Sequence, residues 1–436
     1  MGEARAEPSQ SRLEQCGVII GAEVIIIMAI KTNGLITTSN LSASKNVDLV
    51  CFSHLRWDFV FQRPQHLLSR CARDRRVFFV EEPVYVNGSM RLDVRETETG
   101  VHVVVPQLPD GLRSEIAINA VMKEMTRQLF WEHEIEEYVF WYYTPMALTF
   151  TDHFSPIASV YDCMDELSAF KGANSHLPAF EKKLFRNVDL VFTGGQSLYE
   201  AKCNQHSSVH AFPSSIDAKH FGKARVATRD PEDQSFIPHL RLGFFGVIDE
   251  RFDSELLEQV ATKRPSWNFV IIGPIVKIDP DSLPKNSNIH YLGAKKYDEL
   301  PDYLAGWDIA LLLFARNEST RFISPTKTPE YLAAGKPVIS TSIRDVVRPY
   351  GELKLVEIAD TPDDFIKAAE KIFSGSCQSE WLSRVDTFLS RMSWDKTWAQ
   401  MSALIDQVIA KRRRASSASL PLDKFNQRRT NVAATT

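Results

Sequence analysis

The chain has 436 residues, of which 44% are hydrophobic and 24% charged, and its formal net charge is −4. That length suggests two domains of ordinary size. The slightly acidic balance argues against a dedicated nucleic-acid binder, which would carry a basic surface, so no nucleic-acid partner is expected. The six cysteines, at 16, 51, 71, 163, 203 and 377, form no CxxC pair. This argues against zinc ribbons and dithiol redox motifs and fits a reducing, cytoplasmic compartment. Cys51, Cys71 and Cys163 sit in or beside apolar runs, where a buried free thiol is expected.

Residues 1–46 read as a poorly ordered N-terminal extension. Within it CGVIIGAEVIIIMAI, 16–30, is apolar but interrupted by Glu23, and it is shorter than the roughly 20 residues of a membrane-spanning helix. The residues before it are not net basic, which argues against a signal peptide. Met28 offers an internal start, and a membrane-associated segment is the second reading of this stretch.

From residue 47 apolar runs alternate with helical ones. VDLVCFS, RVFFVEEP, VHVVVPQ, YVFWYYTP, ASVYDCMD, DLVFTGG and VHAFPS read as strands of a parallel sheet covered on both faces. Segments such as QHLLSRCARD and LPAFEKKLFRNV between them complete the βα alternation of a doubly wound domain over 47–221. Residues 222–239, polar and broken by proline, read as a linker. A second alternation over 240–390 contains LRLGFFGVI, WNFVIIGP, NIHYLGA, DIALLLFA, KPVISTS and KLVEIAD. Residues 391–414 have the apolar spacing of a helix that packs on the domains, and 415–436 read as a disordered tail. The expected fold is therefore two Rossmann-like α/β domains facing a cleft, the usual ligand site in such an architecture.

Three stretches carry chemistry. In SPTKTPEYLAAGKPVIS, 324–340, Pro329 suits a first helical turn with Thr328 as its N-cap. Lys327 would add positive charge for a diphosphate, and Glu330 could accept from a sugar diol. A carboxylate that only favours the helix dipole would read the same way. In GFFGVIDERFD, 243–253, Gly246 would let a phosphate approach the backbone and Arg251 could pair with its oxygens. In YLGAKKYDEL, Gly293 ends a strand with Tyr297 close by, positioned to hold a nucleobase by backbone contacts and stacking.

The first half contributes VYDCMDELSAF, with Asp162 and Asp165 just beyond a strand end. Either could act as the general base of a transfer reaction, Asp165 being preferred because it lies farther into the loop; a helix-capping role would give the same pattern. The density of polar and aromatic groups in SHLRWDFVFQRPQHLLSR makes His54, Arg56, Trp57, Asp58 and Arg63 candidate acceptor contacts. The arginines after it, Arg70, Arg73, Arg75 and Arg76, could touch an anionic membrane surface, although a charged helix end explains them equally.

On these motifs, and on FFGVID, IIGP and YLGAKKYDELPDYLAGWDIALLLF, the chain resembles bacterial GT-B glycosyltransferases of the family-1-type group that assembles cell-surface or exopolysaccharides. The resemblance spans residues 47–410. It implies a nucleotide-sugar donor, uridine before guanosine, with Glu330 on the ribose, Lys327 and Arg251 on the diphosphate, Gly246 making room for it, and Thr326, Gly293 and Tyr297 nearby. It further implies a glycan or lipid-linked acceptor at the inner face of the membrane and peripheral membrane contact. No cofactor or metal is expected, because cations of the chain can stabilise the departing diphosphate.

One departure stands out. Many retaining relatives carry a first glutamate eight positions before the one matching Glu330. That position is Phe322 here, and Glu318 lies four residues too early, which leaves the stereochemical course open. An NDP-sugar epimerase of the same architecture and a non-catalytic sugar-nucleotide binder are the alternatives. A dehydrogenase is disfavoured because neither half has a GxGxxG turn followed by an acidic residue.

Overall fold

In the computed structural model, which describes residues 47–375 and 378–418, two parallel sheets lie in sequence. The apolar run at 16–30, and the tail beyond Ala418, fall outside the described residues. The first sheet contains β1 (Asp48–Ser53), β2 (Val77–Glu81), β3 (Val84–Val86), β4 (Arg91–Glu96), β5 (Val101–Pro109), β6 (Tyr138–Tyr142), β7 (Ala158–Cys163), β8 (Leu190–Thr193) and β9 (Val209–Ala211). Their spatial order is β3-β5-β2-β1-β6-β7-β8-β9, with β4 added antiparallel to β5. The second sheet runs β12-β11-β10-β13-β14-β15. Its members are β10 (Arg241–Phe245), β11 (Asn268–Ile272), β12 (Ile289–Gly293), β13 (Ile309–Leu312), β14 (Val338–Ser340) and β15 (Glu357–Ile358).

The uninterrupted apolar runs follow from burial on both faces. Successive residues of β1 enter different cores, Leu49 and Cys51 one, Val50 and Phe52 the other. In β11, Phe269 and Ile271 likewise separate from Val270 and Ile272. Every strand expected from sequence is present; β3 and β4 were not expected. The residues of β4 alternate between exposed and half-buried, which is the pattern of an edge strand with one wet face. Cys51, Cys71 and Cys163 are buried free thiols.

Residues 222–239 are not a free spacer. Ala224 and Ile237 join the second-half core, and the fully buried Gln234 accepts from Trp307 Nε1 at 2.9 Å and donates to the Tyr303 carbonyl at 3.1 Å. Polar composition misled here because one amide satisfies several buried groups at once.

The last helix, Trp394–Ala418, outruns the expected boundary at 414 and returns to the first half. Trp394, Trp398, Met401, Ile405 and Ile409 recur at helical spacing and enter the same core as Leu49 and Val139. Its charges pair with that half: Asp406 with Arg75 at 3.1 Å and Arg412 with Asp189 at 2.6 Å. Arg70 and Arg73 both pair with Asp395, and Arg76 pairs with Asp48 at 2.6 Å. The arginines read as a membrane-contacting run are thus ion-paired within the protein. No helix among the described residues is long and apolar enough to cross a membrane.

Trp394 is fully buried and stacks on His66 with centroids 4.5 Å apart. Trp394→Ala is expected to cost about 3–5 kcal/mol, the usual penalty for emptying a core aromatic site, measurable by urea unfolding.

Candidate active site

Two cavities open between the halves. One, about 740 Å³, is lined by second-half residues that include Gly246, Tyr297, Thr326, Lys327 and Glu330, together with Asp58 and Phe61 from across the cleft. The other, about 860 Å³, is walled mainly by the first half, including His54, Arg56, Met122 and Phe150. Phe59, Gln62, Met164, Asp165, Val247 and Arg251 line both, so the two cavities share a wall at Asp165 and Arg251.

The helix Lys327–Ala333 begins at its N-cap Thr326, two residues before the expected start, so Thr328 is inside it. Glu330 is only 5% exposed. Neither Lys327 nor Glu330 has a salt-bridge partner among the described residues. The Lys327 ammonium lies 5.8 Å from the Phe244 ring and 6.0 Å from that of Phe314. Burial pushes the Lys327 ammonium down and the Glu330 carboxyl up, each partly offset by the other's charge. A half-buried cation and a buried carboxylate without salt-bridge partners are costly in the fold alone. An anion beside Lys327 and hydroxyl donors beside Glu330 would relieve that cost. Gly246 is what lets the lysine reach this position: its φ is +145°, and a Cβ there would collide with Lys327 Cε. Gly273 plays a matching role, because a Cβ there would collide with the Gly246 carbonyl.

Arg251 is held in place by a neighbour. Its Nε and Nη2 pair with both oxygens of Asp249, at 3.0, 3.1 and 2.6 Å, and its guanidinium lies 5.1 Å from the Phe170 ring. This fixes the group at the shared wall.

The two aspartates of VYDCMD part company. Asp162 is 0% exposed and takes three hydrogen bonds from Arg63, at 3.1, 2.9 and 2.9 Å, while Arg63 also donates to the Phe212 carbonyl at 2.7 Å. Asp162 is therefore structural rather than a base, and Arg63, itself 3% exposed, is no acceptor contact. Asp165 instead faces the cavities, with its carboxyl pushed up to about 6 by burial against the opposing pull of Arg251 and Arg63.

Other expected site residues are committed elsewhere. Tyr297 is sandwiched between Phe61 and His220, each stacked at 4.2 Å, so it has no open face for a nucleobase. Trp57 is buried edge-on against Phe79 at 5.1 Å. Arg56 pairs with Glu81 at 2.9 Å and donates to the Glu82 carbonyl, and Asp58 pairs with Arg95. Gly293 has a left-handed φ of +69° and lines neither cavity, although Ala294 to Tyr297 line one. His54 lines the larger cavity with Nδ1 buried and without a hydrogen bond; burial lowers its pKa to about 4, keeping it neutral. Glu318 is exposed, beside Arg321, and Phe322 packs on the first-half core. Asp249, Gly273 and Phe59 were missed, although the Asp-x-Arg spacing at 249–251 signals a local clamp.

Residues 241–374 match the family described as Glycosyl transferases group 1. The chain is 24% identical over 307 residues to the putative teichuronic acid biosynthesis glycosyltransferase TuaH of Bacillus subtilis, covering 61% of this chain and 76% of that protein. The fold is that of sucrose-phosphate synthase from Thermosynechococcus elongatus, with a TM-score of 0.64 at 13% identity over 84% of this chain and 100% of that one. It is also that of HepE from Anabaena in complex with UDP, with a TM-score of 0.56 at 12% identity over 83% and 100%. The fold is the GT-B fold of these glycosyltransferases. The glycosyltransferase match falls on the half that contains Gly246, Lys327 and Glu330.

Asp162→Ala is expected to destabilise the protein by about 3–5 kcal/mol, because it leaves a buried guanidinium unpaired. Asp165→Asn, which replaces a carboxylate already disfavoured by burial, should leave the urea midpoint within error. Equal midpoints for the two variants would reverse the division of roles.

Proposed function

We propose that the enzyme transfers a sugar from a nucleoside-diphosphate donor, with UDP as the nucleotide, to a glycan or lipid-linked acceptor in polysaccharide assembly. The donor occupies the cavity of Lys327 and Glu330, and the acceptor the cavity of His54. The observation that carries this reading is the shared wall: Asp165 and Arg251 touch both compartments. The HepE neighbour was solved with UDP, which supports the choice of base. TuaH, named for teichuronic acid biosynthesis, supports a polysaccharide acceptor. A lipid-linked acceptor would place the reaction at the cytoplasmic face of a membrane.

In this reading Asp165 takes the proton of the acceptor hydroxyl as its oxygen attacks the anomeric carbon. The bond from that carbon to the diphosphate breaks, and Lys327 with the uncommitted edge of Arg251 stabilises the negative charge that develops on the leaving group. These two cations do the work a divalent metal does elsewhere, so the reaction is proposed to be metal-independent. Glu330 holds the ribose and thereby orients the donor toward Asp165.

A thermal-shift screen against UDP, GDP, ADP and dTDP tests the donor, since a ligand that binds only the folded state raises its melting temperature. Lys327→Ala and Glu330→Ala should each weaken UDP binding by about 1.5–3 kcal/mol, the range for hydrogen bonds to charged groups, as read by calorimetry. Unchanged affinity in both would remove the donor site from this cavity.

The pH dependence has a defined sign. Asp165 is a base only when ionised, and its carboxyl is pushed up to about 6. The kcat/KM of UDP release from a UDP-sugar should therefore rise about tenfold between pH 5 and pH 7. A flat profile over that interval would exclude Asp165 as the base.

A further inference from the structure

Asp165 sits in a loop that two independent contacts seat from beneath. Its neighbour Glu166 is gripped by Lys202, Nζ to Oε2 at 2.7 Å, and Ser168 Oγ donates to the other Glu166 oxygen at 2.6 Å. Lys202 also holds Glu181 at 2.7 Å, and Glu181 accepts from the Tyr161 hydroxyl at 2.9 Å. The Lys202 and Glu181 side chains are 6% and 10% exposed, and Glu166 is 16% exposed. The turn before the Gln196–Lys202 helix presses on the loop as well: a Cβ on Gly194 would collide with the Met164 backbone, and the Gly194 N–H donates to the Cys163 carbonyl at 2.8 Å.

The same helix is held at its other end by the second half. The Ser197 N–H donates to Asp345 Oδ1 at 2.9 Å, the Ser197 hydroxyl donates to the same oxygen, and Gly195 leaves no room for a Cβ beside that carboxylate. Glu200 pairs with Arg344. One two-turn helix therefore spans from the contact between the halves to the residue next to Asp165.

We infer that Lys202 is a positioning residue for the transfer reaction: through Glu166 it holds the Asp165 carboxyl at the wall shared by the two cavities, in register with the second half. This rests on the reading of Asp165 as the base. Lys202 touches neither cavity, and its effect is on geometry alone. A carboxylate displaced by about 1 Å from its reacting hydroxyl can lose about a hundredfold in rate, while UDP, held by Lys327 and Glu330, is unaffected.

The test measures UDP release from whichever of UDP-glucose, UDP-glucuronate and UDP-N-acetylglucosamine turns over fastest, UDP affinity by calorimetry, and the pH profile. The variants are Glu166→Gln, Lys202→Met, Lys202→Arg and Asp165→Asn. Glu166→Gln, at the less buried end of the pair, guards against a Lys202→Met protein that fails to fold. The inference expects turnover to fall at least tenfold in Glu166→Gln and Lys202→Met with UDP affinity within twofold of the parent. It also expects the acid limb to move from near 6, because Asp165 shifts relative to Arg63, Arg251, Lys327 and Asp249, the charged groups facing it. Lys202→Arg should recover most of the turnover. Wild-type turnover in Glu166→Gln and Lys202→Met, or parallel loss of turnover, UDP affinity and melting temperature, overturns it. If Asp165→Asn keeps full turnover, the base assignment itself fails and the inference with it. If Asp165→Asn is inactive while the other variants are normal, only the positioning role fails.

Discussion

The buried pair of Arg63 and Asp162 organises the first half. It joins the start of the helix Arg63–Cys71 to the end of β7, and through the Phe212 carbonyl to the chain beyond β9. Taking both charges out of water is expensive, and only close two-pronged geometry with further hydrogen bonds offsets it. Because Asp162 is consumed by that pair, the chain turns away at the strand end, and Asp165, three residues on, is the carboxylate left facing the cavities. The loop 54–62 leads into that helix, and its Phe59 forms part of the wall common to both cavities.

The second half applies a different device to the same end. Gly246 and Gly273 remove side chains where β10 and β11 finish, and the space admits the Lys327 stem at the first and the Gly246 carbonyl at the second. The half-buried lysine and the buried Glu330 have no salt-bridge partner among the described residues, and desolvation disfavours their charged forms. Arg251, by contrast, is fully engaged on one edge by Asp249 and is therefore immobile. A site assembled from one fixed cation and one underused cation suits an anion that arrives, reacts and leaves.

Contact between the halves is aromatic as much as polar. Phe61 of the first half stacks on Tyr297 of the second, which stacks in turn on His220, while His66 stacks on Trp394 of the returning helix. These flat contacts are apolar yet directional. With Asp345 gripping Ser197, they set the register in which the two cavities share a wall. The returning helix adds a covalent reason for that register, since the chain's last described segment belongs to the first half's core.

Much of this was legible from the amino-acid order. Apolar runs such as VDLVCFS and WNFVIIGP announce strands covered on both faces, because only a doubly buried strand can dispense with polar alternation. Lys327, Glu330 and Gly246 could be singled out because a helix start and a strand-end glycine are compatible with an anion site, and Asp165 because it lies past a strand end. The packed segment 222–239 was not legible, since Gln234 looks polar until Trp307 and Tyr303 are seen around it. Nor were the fates of Trp57, Arg63, Asp162 and Tyr297, whose partners lie 22, 99 and 99 residues away for the first three and on both faces of the ring for Tyr297. The sequence by itself determined the fold class and the helix start that carries Lys327 and Glu330, because both depend on periodicity and near neighbours. Only the tertiary structure decided which of two aspartates is spent on an ion pair and which lines the cavities, because that choice depends on where a distant arginine comes to rest.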